Sequence, residues 1–563
     1  MITSEALAVG LVRHGVKLTF SQCFPVRTQH VAPKYGIRQI GFRTENAGGY
    51  MADGYARVSR HIAVVAAQSG PAATLLVPPL AEAFKASVPI LALIEESARA
   101  EADRNAFQEF DHLALFSSCS KWTRRVDRPD RFDDYLDMAI VQATTGRPGP
   151  VVLILPSDFM GQEAVLSGKR TVSLGHFPLD RLVPPRERIR EAAAALKAAE
   201  RPLIVAGGGV HLSGAAAEVV KLAELGSIPV ATTNMGKGTI DERAPLSLGV
   251  FGNCMGNGSR AQHLRRFAAE ADLVLLIGNR TNANGTASWT LFPPQARIVH
   301  IDIDSCEIGR NYEALRLAGD ARATVAALLE ELGEQDFPDR AARLERIGQA
   351  TAGARAKSKA FVDEIGPGRP GAVRPEYLMR VLDPILRPHD IVCADASYST
   401  NWVSTFLTAK MNGARFLEPR GLAGLGWGMP MAMGAKLARP EANVFALVGD
   451  GGFGHCWSEL EAARRLDIKV VTIVLNNQIL GYQRHGEDWF MNHHSDACDF
   501  FPVDHAAIAR ACDCFGERVH APEEFAPALE RAMKDPRPAV IDVVTDDDAR
   551  PPLNQYLFRP GKN

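Results

Sequence analysis

The residues best suited to chemistry stand at the end of the apolar run Val444-Phe445-Ala446-Leu447-Val448: Gly449-Asp450-Gly451-Gly452-Phe453-Gly454, and then, with 24 residues between it and Gly451, the pair Asn476-Asn477. That interval is long enough for one helix and one strand. It therefore sets Asp450 and Asn477 at the C-terminal ends of neighbouring parallel strands, where open α/β sheets bind ligands. A hard cation such as Mg²⁺ takes oxygen ligands and completes its shell with phosphate and water, so a carboxylate, an amide oxygen and a backbone carbonyl suit it. Glycines let backbone N–H groups approach a phosphate, and the helix that follows points its positive end at the same spot. A glycine-rich turn alone would be an ordinary strand-to-helix connection. The paired asparagines at this spacing set it apart.

At this point the chain resembles the thiamine-diphosphate (ThDP) enzymes of the acetolactate synthase and pyruvate oxidase type, whose signature is GDG, about two dozen residues, then NN. The resemblance implies that Asp450, the Asn477 side chain and the Ile479 carbonyl hold Mg²⁺ against the cofactor's diphosphate, beside Gly449, Gly451, Gly452 and Phe453. It reappears in Arg43-Thr44-Glu45-Asn46-Ala47-Gly48-Gly49-Tyr50-Met51-Ala52-Asp53-Gly54-Tyr55-Ala56-Arg57. There Glu45 falls at the acid that hydrogen-bonds N1′ of the aminopyrimidine, and an acid doing so is expected to be buried with a raised pKa. Gly421-Leu422-Ala423-Gly424-Leu425-Gly426-Trp427-Gly428-Met429-Pro430 resembles the segment that bends the cofactor, with Leu425 as the wedge and Ala423 beside it. Gln108, within Phe107-Gln108-Glu109, matches the glutamine beside the reactive carbon. Similarity extends to Lys121-Trp122, to the segment from Gly146 to Val151, to Gly236-Lys237-Gly238 and to the segment from Val299 to Asp304, and so spans nearly the whole chain.

Several departures bear on the reaction. Tyr482 and Gln483 stand where biosynthetic acetohydroxyacid synthases carry Met-Val, and Gly486 where they carry Trp, so a more polar acceptor pocket is expected, with His485 beside it. Phe24-Pro25-Val26-Arg27 replaces a Tyr-Pro-Gly-Gly turn and places Arg27 where it could meet an anionic substrate. Asp395-Ala396-Ser397-Tyr398-Ser399 replaces Gly-Gln-His, leaving the Ser397 and Ser399 hydroxyls as candidate diphosphate contacts. Leu75 stands at a usual Asn. His112 and His485 are candidate proton donors, each with a surface or supporting position as the plainer alternative. Ala206-Gly207-Gly208-Gly209-Val210-His211-Leu212 breaks the GxGxxG dinucleotide pattern at Leu212, and Asn279-Arg280-Thr281-Asn282 departs from Arg-Phe-Asp-Asp. The resemblance thus implies either FAD bound without redox use or a site that has lost it.

Positioning these groups needs parallel sheets covered on both faces, and the sequence supplies short β-branched runs between longer helical stretches. The fold class is α/β, as three doubly wound parallel-sheet domains. Strands are expected at Ile62 to Ala66, Pro89 to Ile94 and Val151 to Leu155; at Leu203 to Ala206, Leu273 to Ile277 and Ile298 to Ile303; and at Ile391 to Cys393, Val444 to Val448 and Val470 to Leu475. Pro-rich linkers at 181–186 and 367–371 divide a pyrimidine-binding domain (1–180), a middle domain (187–335) and a diphosphate-binding domain (372–550). A charged helix, Arg340 to Lys359, precedes the second linker.

The 563 residues, 46% hydrophobic and 23% charged, carry 63 basic against 65 acidic side chains, which excludes a bulk-charge nucleic-acid binder. No apolar run approaches the roughly 20 residues that span a bilayer. The acid at Glu5 and the lack of a cleavage site speak against a signal peptide, and the nine scattered cysteines are expected reduced, so a cytoplasmic setting is expected. The expected reaction is ylide attack on a 2-oxo acid, CO₂ loss and enamine transfer to an acceptor carbonyl, in a homodimer or dimer of dimers with the site between subunits. A non-carboligating decarboxylase, a C–C lyase or hydrolase, and a silent homologue serving as a binding or regulatory subunit stay open as alternatives.

Overall fold

The structure, a computed structural model, describes the chain except residues 23–25, 165, 167, 169, 334–336, 338 and 558–563. Three parallel six-stranded sheets carry it. The first contains β1 (Leu18–Ser21), β2 (Arg38–Ile40), β3 (Ala63–Ala67), β4 (Ile90–Glu96), β5 (Trp122–Arg125) and β6 (Val151–Pro156), in the order β2-β1-β3-β4-β6-β5. The second contains β7 (Pro202–Ala206), β8 (Val230–Thr232), β9 (Ser247–Val250), β10 (Leu273–Ile277), β11 (Arg297–Asp302) and β12 (Ala314–Ala318), in the order β12-β11-β10-β7-β8-β9. After a two-stranded ribbon, β13 (Gly368–Arg369) and β14 (Ala372–Val373), the third contains β15 (Ile391–Ala394), β16 (Arg415–Leu417), β17 (Val444–Gly449), β18 (Val471–Asn476), β19 (Phe515–Val519) and β20 (Ala539–Val544). Its order, β16-β15-β17-β18-β20-β19, repeats that of the first sheet.

The central strands are buried along their whole length, which is why they read as unbroken apolar runs. Each sheet reverses direction at one point: between β1 and β3, between β7 and β10, and between β15 and β17. Those are the places where the ends of the strands part and leave room for a ligand.

The first and third domains share one continuous core. Its centre is a crossing of two helices, Glu45–Ser59 and Gly428–Ala438. A Cβ on Gly54 would stand 2.1 Å from the Met431 carbonyl oxygen and one on Gly434 1.9 Å from that of Met51, so only glycine at both positions lets the backbones meet.

The segment 367–371, expected to break regular structure, instead supplies β13 and the turn of the antiparallel β13–β14 ribbon, because a single pair of strands can turn back at Gly371 (φ 80°). The charged helix runs further than expected, Arg340–Ile365. It is not wholly a solvated face, since Arg343, Ile347, Thr351, Ala354 and Val362 are buried.

Candidate active site

Asp450 begins the helical turn Asp450–Phe453 at the end of β17, and the residue is 7% exposed. One oxygen accepts from the Gln478 N–H at 2.8 Å. Gln478 takes a left-handed conformation (φ 60°), and the Ile479 N–H donates to Asn477 Oδ1 at 3.4 Å, so the chain leaving β18 curls round the acid. Burial pushes Asp450 up to about 7; the N–H groups of Gly451 and Gln478 offset part of this, and the charge that adds to it is another acid, Asp542. A buried carboxylate among oxygen donors, short of positive charge, is a donor set that suits a hard cation.

The acid opens into a cavity of about 510 Å³ at the β15/β17 switch point. Ser397, Ser399, Ala423, Leu425, Gly449, Gly451, Gly452, Asn477, Ile479, Tyr482 and Gln483 line it with Asp450. Phe453 does not: it is fully buried in the shared core, its ring edge-on to His505 at 5.4 Å. His485 does not line it either. Its Nδ1 pairs with the Tyr398 hydroxyl at 3.1 Å and its Nε2 with the Asp547 carbonyl at 2.8 Å, so it braces Tyr398 from behind.

Two buried glutamates hold the loops that flank the site, each reaching across from the other domain. Glu459, on the helix after the GDG turn, accepts from the N–H groups of Arg43 and Thr44, immediately before Glu45. Glu82, in the first domain, accepts from Gly421 at 2.6 Å, from Leu422, and from Ala423 at 3.3 Å. Asp395, 1% exposed, completes the support by accepting from Gly426 and Trp427, both at 3.1 Å.

Glu45 is the first residue of its helix and is only half-buried, where a buried acid was expected. Gln108 is half-buried on a left-handed turn (φ 59°), its carbonyl accepting from the Ser69 hydroxyl at 2.7 Å. Neither lines the cavity, and among the described residues none of the first domain does. Arg27 does not reach it: its guanidinium fills the space a Cβ on Gly161 would take, within its own domain. Phe24 and Pro25 lie outside the described residues. His112 is fully buried, not on the surface. Its Nε2 accepts from the Gly70 N–H at 3.1 Å and its Nδ1 faces Glu96 at 3.4 Å, which uses both ring nitrogens.

Residues that the sequence analysis passed over also wall the cavity: Asn401 and Trp402, Asn253 and Asn284 from the middle domain, and Arg420. Arg420 stands one residue before the quoted Gly421 segment, and its charge beside a glycine-rich stretch was the available signal.

The middle sheet has its own cleft, about 110 Å³, at the β7/β10 switch point. The glycines there serve packing. A Cβ on Gly207 would stand 2.2 Å from the Gly278 carbonyl oxygen, and one on Gly209 2.6 Å from the Gly278 Cα.

Against known families, residues 1–115 match the N-terminal TPP binding domain of thiamine pyrophosphate enzymes, residues 189–328 their central domain and residues 395–543 their C-terminal TPP binding domain. The chain belongs to the thiamine pyrophosphate enzymes. It is 33% identical to a probable acetolactate synthase large subunit of Methanocaldococcus jannaschii, over 96% of this chain and 92% of that protein. It is 31% identical to an acetolactate synthase of Mycobacterium bovis (91% and 82% covered) and 30% identical to an acetolactate synthase large subunit of Corynebacterium glutamicum (91% and 81%).

Proposed function

We propose that the protein is a ThDP- and Mg²⁺-dependent carboligase of the acetolactate synthase kind, acting on a 2-oxo acid. The observation that carries this reading is the buried Asp450 carboxylate, without a cationic partner, facing the 510 Å³ cavity beside Asn477 and Ile479. Asp450, the Asn477 side chain and the Ile479 carbonyl would hold the metal. The backbone around Gly449 to Gly452 and the Ser397 and Ser399 hydroxyls would receive the diphosphate. When bound, ThDP supplies the carbon nucleophile that takes up the 2-oxo acid, lets CO₂ depart and passes the remaining acyl equivalent to an acceptor carbonyl. Leu425 would prop the cofactor's bend, and Glu45 would share a proton with its aminopyrimidine.

In this reading the active unit is at least a homodimer, with Glu45 and Gln108 supplied by a second copy to the cavity that contains Asp450. Supporting this, the described residues that line the cavity all come from the second and third domains. Large apolar side chains are also bare at the edges that would meet, among them Phe107 (87% exposed) in the first domain and Phe501 (85%) in the third. The division at about 180 and 372 separates the two cofactor-binding domains, and the eight described cysteines, all free, suit a reducing cytoplasm. No helix among the described residues is long and apolar enough to cross a membrane.

FAD is left out of this reading of the middle cleft. The cleft measures about 110 Å³, and the backbone of Gly278 packs against Gly207 and Gly209. No step is assigned to a flavin.

The test is product analysis after incubation with pyruvate, ThDP and Mg²⁺. Acetolactate is expected; acetaldehyde would favour a simple decarboxylase, and no consumption of pyruvate would refute the reading. Mixing Glu45→Gln with Asp450→Ala chains should restore one intact site of two, and an active monomer in light scattering would refute the shared site.

A further inference from the structure

The cavity beside Asp450 has one feature that the carboligase reading does not use. Among the described residues that line it, Arg420 is the only cation. Two acids line it: Asp450, already assigned to the metal, and Asp546, which is paired with Arg374 at 2.9 Å. Arg420 lies on the loop after β16, five residues before Leu425, and it also lines the middle-domain cleft, so it stands in the wall between the two.

The guanidinium is short of acceptors. Nη2 donates to Asn401 Oδ1 at 3.1 Å, Nε is buried with no acceptor, and no carboxylate lies within ion-pairing distance among the described residues. The acid that feels its charge, Glu418, is 1% exposed and already accepts from the Ser404 hydroxyl at 2.6 Å. Burial pushes Glu418 up to about 7 in spite of Arg420, so it does not fully neutralise the guanidinium at neutral pH. A partly buried cation left this way is costly unless a ligand brings the missing charge. Asn253, Asn284 and Asn401 on the same wall add amide groups for a polar ligand.

Resting on the carboligase reading, we propose that Arg420 is the anion-recognition residue of this cavity and that it holds the negatively charged group of the acceptor. The chemistry separates acceptor from donor. In the donor, the bond to the carboxylate breaks, its electron pair stays on the former carbonyl carbon, and CO₂ leaves uncharged. A cation fixed on that carboxylate would stabilise the ground state more than the transition state and slow the step. In the acceptor, the new C–C bond forms at the carbonyl carbon, the carbonyl oxygen takes a proton, and the anionic group passes unchanged into the product. Arg420 therefore serves a charge that is retained. The ligand class is a carbonyl compound with a retained carboxylate or similar anion, a second 2-oxo acid being the simplest. This moves the polar-acceptor expectation from Arg27, which faces its own domain, to a residue in the cavity wall.

The experiment compares wild type, Arg420→Gln and Arg420→Lys as holoenzymes with ThDP and Mg²⁺. Calorimetric titration with oxamate, an unreactive likeness of pyruvate, should show affinity falling roughly tenfold to a hundredfold in Arg420→Gln and partly recovered in Arg420→Lys, with ThDP affinity unchanged. In turnover, the KM for pyruvate as acceptor should rise by a similar factor while that for an uncharged aldehyde stays within about twofold. Unchanged oxamate affinity, equal losses for charged and uncharged acceptors, or weakened ThDP binding would each overturn the assignment. Oxamate binding lost with Arg420, in a wild type that makes no acetolactate, would sustain the anion site while refuting the carboligase reading.

Discussion

The third and second domains each end a central parallel strand in a glycine-rich turn at the point where the sheet reverses, yet the two turns do opposite things. After β17, Gly449 has open surroundings, the nearest atom to a Cβ there being Ser399 Oγ at 3.9 Å, although Gly452 further along the turn packs against the Asp395 side chain. Space is left for a ligand, and Asp450 looks into it. After β7, Gly207 and Gly209 are pressed against the backbone of Gly278, and the cleft that remains is about a fifth the volume of the other. Glycine permits close approach, and what approaches is decided by the neighbouring strand. A glycine-rich turn thus becomes a ligand signal only when a charged or amide group beside it lacks a partner.

Breaking the working turn should have the largest effect. Asp450→Ala is expected to lower kcat/KM by at least about a hundredfold, with Mg²⁺-dependent ThDP binding weakened in parallel. If ThDP affinity in a calorimetric titration stays as in wild type, the metal lies elsewhere.

The paired glycine substitutions come next. Gly207→Ala should destabilise the fold by about 1–3 kcal/mol through overpacking, with activity per folded molecule retained. Gly449→Ala should change stability by no more than about 0.5 kcal/mol while weakening ThDP. Denaturant unfolding alongside cofactor titration reads both, and the reverse pattern would contradict the comparison.

A smaller effect concerns pH. Burial raises Asp450 to about 7 and Asp302, beside the middle cleft, to about 6, against an ordinary value near 3.8. Between about pH 4 and these values the folded protein keeps protons that the unfolded chain has lost, so the stability of the metal-free protein should fall as pH rises through that window and level off above it. Asp450→Asn should flatten this decline more than Asp302→Asn, and Mg²⁺ with ThDP should remove the Asp450 part alone. Melting temperatures from pH 5 to 8 measure it, and a rise with pH would reverse the sign. The smallest expected effect is none at all: added FAD should neither co-purify, by absorbance near 450 nm, nor shift the melting temperature.

The sequence was most legible where strands are buried on both faces. Leu273–Ile277 falls where its apolar run predicts, and the other eight expected strands are found within about two residues of theirs. Edge strands such as Trp122–Arg125 and Ala314–Ala318 were missed because half-exposed strands mix polar with apolar residues. Ala539–Val544 was missed for another reason. Asp542 interrupts its apolar run, and its burial is made tolerable by the Asn476 amide at 2.9 Å and the His505 N–H at 3.0 Å, partners far away in sequence. In the site, spacing located Asp450 and Asn477 because one helix and one strand separate them. Which way a side chain faces was not legible: Phe453 turned to the core, His485 stands behind Tyr398, Arg27 lies against Gly161, and Arg420 reached the cavity without a motif to announce it.

The crossed pair of glutamates decides what a truncated gene could yield. Glu459 belongs to the third domain but secures the two residues before Glu45, and Glu82 belongs to the first but secures the loop before Leu425. A fragment ending before Glu459 would leave the N–H groups of Arg43 and Thr44 to water, and one beginning after Glu82 would do the same to the loop from Gly421 to Ala423. The domains look like beads on a string in the order of their sheets, but these two exchanges make the first and third a single heritable unit. Recombination between relatives should therefore fail when it separates the outer two.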